Sequence, residues 1–263
     1  MDGRRVPLDP DEVLRLRNVS KTFTLHERDV SRSVLADISL SVRAGECIHL
    51  DGPSGVGKST LMRMIYGTYK TLTGEILVRT ENGDVDVVTA DPWTLIELRR
   101  STVGYVSQFL RVLPRVSAFD VVLYPLLVRG IDRDKARATA ASMLSRLGIA
   151  ERLWDLSPLT FSGGEQQRVN IARGFAADHK LLLLDEPTAS LDAANRNLVL
   201  EVIRDALRRG AAVVAIFHDR DVADQVVTRQ VSLESVSVEN VSTASAALAN
   251  SPPAAESLAA ASY

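Results

Sequence analysis

Cysteine is nearly absent. Cys47 stands alone in 263 residues, which excludes an internal disulfide and any cysteine-rich metal site. It lies in the apolar run Cys47-Ile48-His49-Leu50, where a small core residue is the expected role. Long hydrophobic runs are missing too. No stretch approaches the roughly 18 apolar residues of a spanning helix, so direct membrane insertion is not expected. The opening MDGRRVPLDPDEV lacks the apolar centre of a signal peptide, and the cytoplasm is the expected location. Neither sign of charge dominates: 31 Lys and Arg face 33 Asp and Glu, a formal net charge of −2. That balance gives no global field to attract nucleic acid or an anionic membrane surface. Hydrophobic residues make up 46% of the chain, enough for one large α/β domain or a core with an inserted subdomain.

Pattern supplies the organisation. Residues 1–13 read as a loose leader. Apolar and polar residues roughly alternate over Leu14 to Leu25 and Val34 to Val42, suggesting half-buried strands. Cys47 to Leu50 is a short continuous apolar strand that runs into a glycine-rich loop and then a helical pattern at Leu61, Met62, Met64 and Ile65. Gly74 to Val88 alternates again, with Asn82-Gly83 marking a hairpin turn. Residues 92–160 read as an inserted helical subdomain. Buried-strand patterns return at Leu181 to Leu184 and at Ala211 to Phe217, around a helix from Ala193 to Arg209. Apolar strands separated by helices indicate a mostly parallel core sheet covered on both faces, beside an antiparallel β subdomain. Residues 239–263 are Ala/Ser-rich with Pro252-Pro253, and the expectation there is disorder.

Gly52-Pro53-Ser54-Gly55-Val56-Gly57-Lys58-Ser59-Thr60 satisfies the G-x-x-x-x-G-K-[ST] pattern of a phosphate-binding loop. Glycines let backbone N–H groups wrap closely around phosphate, and the helix opened by the loop favours an anion at its N-terminus. Lys58 can reach the β- and γ-phosphates of a nucleotide, and the Ser59 hydroxyl can coordinate Mg²⁺. One residue is discordant. Asp51 places a carboxylate just before the first glycine, which repels phosphate unless the side chain points away.

Leu181 to Leu184 then delivers Asp185 and Glu186 to the carboxyl end of a buried strand. Asp185 is placed to hold Mg²⁺ through water, and Glu186 to polarise the attacking water as general base. A second anion-binding surface precedes it: Ser162, Gly163 and Gly164 open a helix within Thr160-Phe161-Ser162-Gly163-Gly164-Glu165-Gln166-Gln167-Arg168. One nucleotide does not need two separated cradles from a single chain. The economical resolution is a head-to-tail dimer in which Ser162 to Gly164 closes over the partner's ATP.

These motifs resemble those of the ABC ATPases, from about Leu14 to Glu234. GPSGVGKST is similar to the Walker A motif, LLLLDE to Walker B, and FSGGEQQ to the family signature, with Phe161 where Leu is commoner. Gln108 matches the Q-loop, Ser190-Leu191-Asp192 the D-loop and His218 the switch histidine. The resemblance implies a P-loop NTPase fold and an ABC ATPase domain over residues 14–238. ATP and Mg²⁺ are the implied cofactors, bound in a homodimer or a heterodimer with a sister ABC subunit. It further implies that Gln108 senses Mg²⁺ and the attacking water, that His218 contacts the γ-phosphate, and that Asp192 helps form the dimer seam. Phe23 sits where an aromatic stacks on adenine, with a simple core position as the competing reading.

Less general segments carry a finer resemblance. Val103 to Arg115, Glu151-Arg152-Leu153-Trp154, Phe161 to Gly174 and Ile216-Phe217-His218-Asp219 resemble the PhnL subunit family of the bacterial phosphonate carbon–phosphorus lyase system. That resemblance implies ATP-driven work with lyase core subunits in forming a ribose-linked phosphonate triphosphate. The competing reading is the nucleotide-binding subunit of a transporter of lipoprotein-release or macrolide-export type. In either case Phe109, Leu110, Val112 and Leu113 are candidates to grip the partner. A DNA-repair ATPase is disfavoured by the absence of a long heptad insertion and by the balanced charge.

Overall fold

The computed structural model describes residues 6–25, 30–111 and 114–233. The tail expected over 239–263, the first five residues of the expected leader, and Val112 and Leu113 lie outside the described residues.

Two sheets frame the molecule. In the first, β1 (Glu12–Leu25) pairs antiparallel with β2 (Val30–Arg43) and with β4 (Thr73–Thr80), and β4 pairs with β5 (Gly83–Asp86). Leu14, Leu16, Val42, Ile76 and Val78 point into its core. Residues 6–11 are not loose as expected. Leu8 is buried against this sheet, and two arginines fasten the segment by its carbonyls. Arg15 donates to the carbonyls of Val6 and Pro7, and Arg79 to those of Leu8 and Asp9. A guanidinium offers several donors in a fixed fork, which is why one side chain can hold two successive carbonyls. The hairpin between β4 and β5 also shifts by one residue. Thr80 pairs with Gly83, so Glu81-Asn82 forms the turn and Gly83, at φ +117°, begins the return strand.

The second sheet contains β3 (Cys47–Asp51), β6 (Val103–Val106), β7 (Leu181–Asp185), β8 (Ala212–Ile216) and β9 (Arg229–Ser232). Its order is β6-β7-β8-β3-β9, and every pairing is parallel. Parallel strands need crossovers, and here they are helical. The crossover helices are α1 (Lys58–Ile65), α5 (Gly163–Phe175) and α6 (Ala193–Arg208). α1 buries Leu61, Met62, Met64 and Ile65 on one face, each contributing roughly 1.5–3 kcal/mol by leaving water. Cys47 is fully buried, and burial pushes its thiol up to about 12, which leaves it unreactive near neutral pH.

The helical block expected over 92–160 is interrupted. α2 (Pro92–Ser101) starts at an Asp91 cap followed by proline, but β6 comes next and belongs to the parallel sheet. The four residues of β6 are too few to show a period of two, so helical neighbours on either side conceal them. Beyond β6, helices α3 (Ala118–Val128) and α4 (Arg133–Arg146) and two short 3₁₀ turns form the helical layer. A short helix, α7 (Arg220–Ala223), follows β8.

Candidate functional site

Four parallel strands deliver functional groups from their carboxyl ends, where open α/β sheets bind ligands. β3 leads into Gly52 to Gly57, β6 into Gln108, β7 into Asp185 and Glu186, and β8 into His218. The Asp51 discordance is resolved by β9. Its carboxylate accepts from Gln230 Nε2 at 2.5 Å and faces Arg220 at 3.9 Å, so it is turned onto the sheet edge and not left unpaired at the loop mouth.

The loop itself is built for close approach. Gly52, Gly55 and Gly57 have φ of 143°, 81° and 108°, in the region that side chains rarely adopt. A Cβ on Gly52 would lie 2.7 Å from the Leu233 carbonyl, and one on Gly57 2.8 Å from Leu35 Cδ2. Val56 is buried and anchors the loop, while Pro53, Ser54 and Gly55 are exposed at its tip. Lys58 Nζ donates to the carbonyls of Gly52 and Pro53 at 2.6 and 3.0 Å, so the ammonium is folded into the cradle it would share with phosphate. Thr60 follows in the first turn of α1, half-buried.

Ser59 Oγ donates to Asp185 Oδ1 at 3.1 Å, and Tyr105 OH donates to Asp185 Oδ2 at 3.1 Å. Asp185 is 4% exposed, and burial raises its pKa against the lowering effect of those two donors. Burial also raises the pKa of Tyr105, with the Asp185 charge second, so its phenol stays a donor. A hydroxyl and a carboxylate suit a hard cation. Among the described residues no group of three or more His, Cys, Asp or Glu could enclose a metal. The Ser59 hydroxyl and Asp185 carboxylate, 3.1 Å apart, fit Mg²⁺, which takes one or two protein oxygens and completes its shell with water and substrate phosphates. Ser59, Asp185, Gln108 and Tyr105 line one cavity of about 620 Å³ with Tyr66 and Tyr69.

Glu186 is held from two sides. Gln108 Nε2 donates to Oε2 at 2.8 Å, and His218 Nε2 lies 2.7 Å from Oε1. Its backbone sits at φ +55°, a conformation costing a non-glycine residue of order 1 kcal/mol and concentrated at working sites. Gln167, buried on α5, donates to the Pro187 carbonyl at 3.2 Å and fixes the turn that follows. His218, for which the resemblance implied a γ-phosphate contact, thus stands directly beside Glu186.

The signature segment does not join the Ser59–Asp185 cavity. Gly163 lines a separate cleft of about 260 Å³, bounded by Gln108, Phe109, Gln167 and Ser190. Ser162 caps α5 in a reciprocal box: its Oγ accepts from Glu165 N at 3.3 Å and donates to Glu165 Oε2 at 2.7 Å. Gly163 has an ordinary φ, and a Cβ added there would meet nothing within 4 Å, whereas at Gly164 it would lie 3.3 Å from the Ser190 carbonyl. Packing among the described residues gives no reason for glycine at 163. Asp192 caps α6, with both carboxylate oxygens bound by Asn195 at 2.8 and 2.9 Å. Phe23 is 37% exposed and so is not a core residue. It meets Tyr69 edge-on at 5.6 Å, with Lys21 Nζ 5.0 Å from its ring.

Tyr105 and Gln167 were not singled out from the sequence. Tyr105 sits in β6, the concealed strand, and Gln167 lies inside the recognised FSGGEQQ motif, where the glycines and the serine carry the pattern.

A family model described as ABC transporter matches residues 35–189. A lipoprotein-releasing system ATP-binding protein of a Shewanella species is 37% identical over 214 residues, covering 81% of this chain and 90% of that protein. A macrolide export ATP-binding/permease protein of Yersinia pestis is 40% identical over 212 residues. The aligned part is 81% of this chain but only 30% of that relative's length. Among solved structures, the dimeric post-hydrolysis state of an ATP-binding cassette bound to ADP and Pi aligns at 30% identity with TM-score 0.76. It covers 84% of this chain and 94% of that one.

Proposed function

The chain belongs to the ABC transporter family of ATP-binding cassettes, and from that premise we propose that it hydrolyses Mg-ATP across a head-to-tail dimer. The observation that carries this reading is the convergence of Ser59, Asp185, Gln108, Glu186 and His218 at the carboxyl ends of adjacent parallel strands.

Gly52 to Gly57 would cradle the phosphates with backbone N–H groups, and Lys58 would swing from the loop carbonyls onto the terminal phosphates. Phe23 would stack on the adenine. Ser59, Gln108 and, through water, Asp185 would hold Mg²⁺, which supplies charge neutralisation on the β- and γ-phosphates. Glu186 would take a proton from the attacking water as its oxygen bonds to phosphorus and ADP leaves. Gln108 and His218 fix that carboxylate from either side. Ser162 to Gly164 of the second subunit would close over the γ-phosphate, and Asp192 beside it would lie at the seam. The open space above Gly163 supports that approach. The second subunit is another copy of this chain or a sister cassette.

Hydrolysis would drive conformational work on a partner; no helix among the described residues is itself long and apolar enough to cross a membrane. The relatives support a membrane permease as that partner, and with it a nucleotide-binding role of lipoprotein-release or macrolide-export type at the cytoplasmic face. They favour this over the carbon–phosphorus lyase reading. That second reading rests on the resemblance of Val103 to Arg115 and the three other segments named with it; Phe109, 70% exposed, would serve either partner. The surface offered to either partner includes a cavity of about 420 Å³ where Ile96, Tyr124 and Val128 stand beside Arg99, Arg100 and Arg129. Affinity capture from cells growing on a phosphonate as phosphorus source tests both. Recovery of a permease supports the transport role, recovery of soluble lyase subunits supports the other, and a purified chain without Mg-dependent ATPase overturns the common premise.

A further inference from the structure

Asp185 needs an orientation as well as a position, because only one of its two oxygens faces Ser59. The two donors on it come from different elements. Ser59 opens α1, whereas Tyr105 projects from β6, the strand paired with β7 at Tyr105 and Leu183. The Tyr105 ring is fixed in turn by Tyr66, at 5.2 Å between centroids and tilted by 35°. Tyr66 is itself covered by the Arg99 guanidinium, 5.2 Å from its ring centroid. Arg99 is anchored on the carbonyls of Tyr66 and Gly67 at 2.9 and 2.8 Å. The phenol therefore reaches Asp185 from a packed support that does not include the phosphate loop.

This matters once Ser59 serves a cation. Its hydroxyl then points an oxygen lone pair at the metal, and Tyr105 remains to hold the carboxylate in register. Resting on the proposed Mg-ATP site, we infer that Tyr105 is a positioning residue for the metal, its hydroxyl fixing Asp185 Oδ2 so that Oδ1 stays turned to the Ser59 side. Partners behind a metal ligand commonly change metal affinity or activity by roughly 10–100-fold when removed.

The test is Tyr105→Phe in the full chain, which keeps the ring against Tyr66 and removes only the hydroxyl. Mn²⁺ binding is titrated by electron paramagnetic resonance in the presence of ADP, so that no turnover is involved, and ADP affinity is measured separately in EDTA. The expected result is about tenfold weaker Mn²⁺ binding with metal-free ADP affinity unchanged. Equal Mn²⁺ affinity in variant and wild type overturns the inference, as does a parallel loss of metal-free ADP binding, which would mark a residue that only shapes the pocket. If wild type holds no Mn²⁺ with ADP, the nucleotide site itself fails, a result separate from the other two. Should the Phe variant not fold, Tyr105→Met removes the same hydroxyl and is read the same way.

Discussion

His218 Nε2 lies 2.7 Å from Glu186 Oε1, joining the loop after β8 to the residue after β7. A carboxylate oxygen only accepts, so the imidazole donates from Nε2. With Gln108 on the other oxygen, both oxygens of the carboxylate are fixed by protein donors.

Glu186→Gln tests that arrangement. The amide keeps the size of the side chain but accepts no proton from water. Nucleotide binding is expected to persist while hydrolysis falls roughly 10²-fold or more, trapping an ATP-dependent dimer visible by light scattering. Wild-type turnover would remove Glu186 from the chemistry. His218→Ala leaves the carboxylate in place and loosens it, so turnover falls while ATP affinity is retained.

Composite sites give a second prediction. Lys58→Ala damages the cradle, and Gly163→Asp damages the segment proposed to close on the partner's nucleotide. Each homodimer is expected to be inactive. Mixing the two variants regenerates one intact site in each mixed dimer, giving up to about half the wild-type rate per mixed dimer if the sites act independently. Mixed dimers shown by native mass spectrometry to have formed, yet inactive, would disprove the shared site.

The sequence displayed the site better than its supports. Gly52 to Thr60, Asp185 and Glu186 are contiguous motifs whose chemistry is readable because strand, glycine loop and helix follow in order. The Asp51 orientation was not readable, since it depends on Gln230, 179 residues away in the chain. β6 was hidden by its brevity, and Tyr105 with it. The fastening of residues 6–9 was equally hidden, because Arg15 and Arg79 look like ordinary surface charges until their carbonyl partners are seen. Asp192 and Ser162 carry ordinary capping roles inside their own chain, and neither role excludes a second one at a seam.

Acid sensitivity is expected from His179. It is packed against Gly104 of β6, and Arg129 NH1 donates to its Nδ1 at 3.2 Å. Burial, and then the Arg129 charge, lowers its pKa to about 3. The folded state thus binds its proton far less readily than the unfolded chain, whose histidine titrates near 6.5. Stability is complete above about pH 6.5 and declines as pH falls toward 3, by about 1.4 kcal/mol per pH unit from this group. His179→Asn removes the titration while keeping an acceptor for Arg129. Urea unfolding at pH 7.5 and 5 is expected to show wild type losing about 2 kcal/mol more than the variant; equal losses would mean that the half-buried His179 does not stay neutral in the folded chain.

Two glycines of α5 separate packing from function. Alanine ordinarily stabilises a helix interior by about 1 kcal/mol over glycine. At Gly174 the added Cβ would lie 2.5 Å from Val106 Cγ2, and a β-branched side chain in a strand has little room to turn away. Overpacking of this kind costs about 1–3 kcal/mol, so Gly174→Ala is expected to lower the urea midpoint despite its helix propensity. Gly163→Ala meets nothing within 4 Å among the described residues, so its midpoint should be unchanged or raised. Its ATPase rate should nevertheless fall, because the space the methyl takes is the space proposed above for a second subunit's nucleotide. A Gly163→Ala chain with both full stability and full turnover would leave the glycine, and the closure argued from it, without a physical reason.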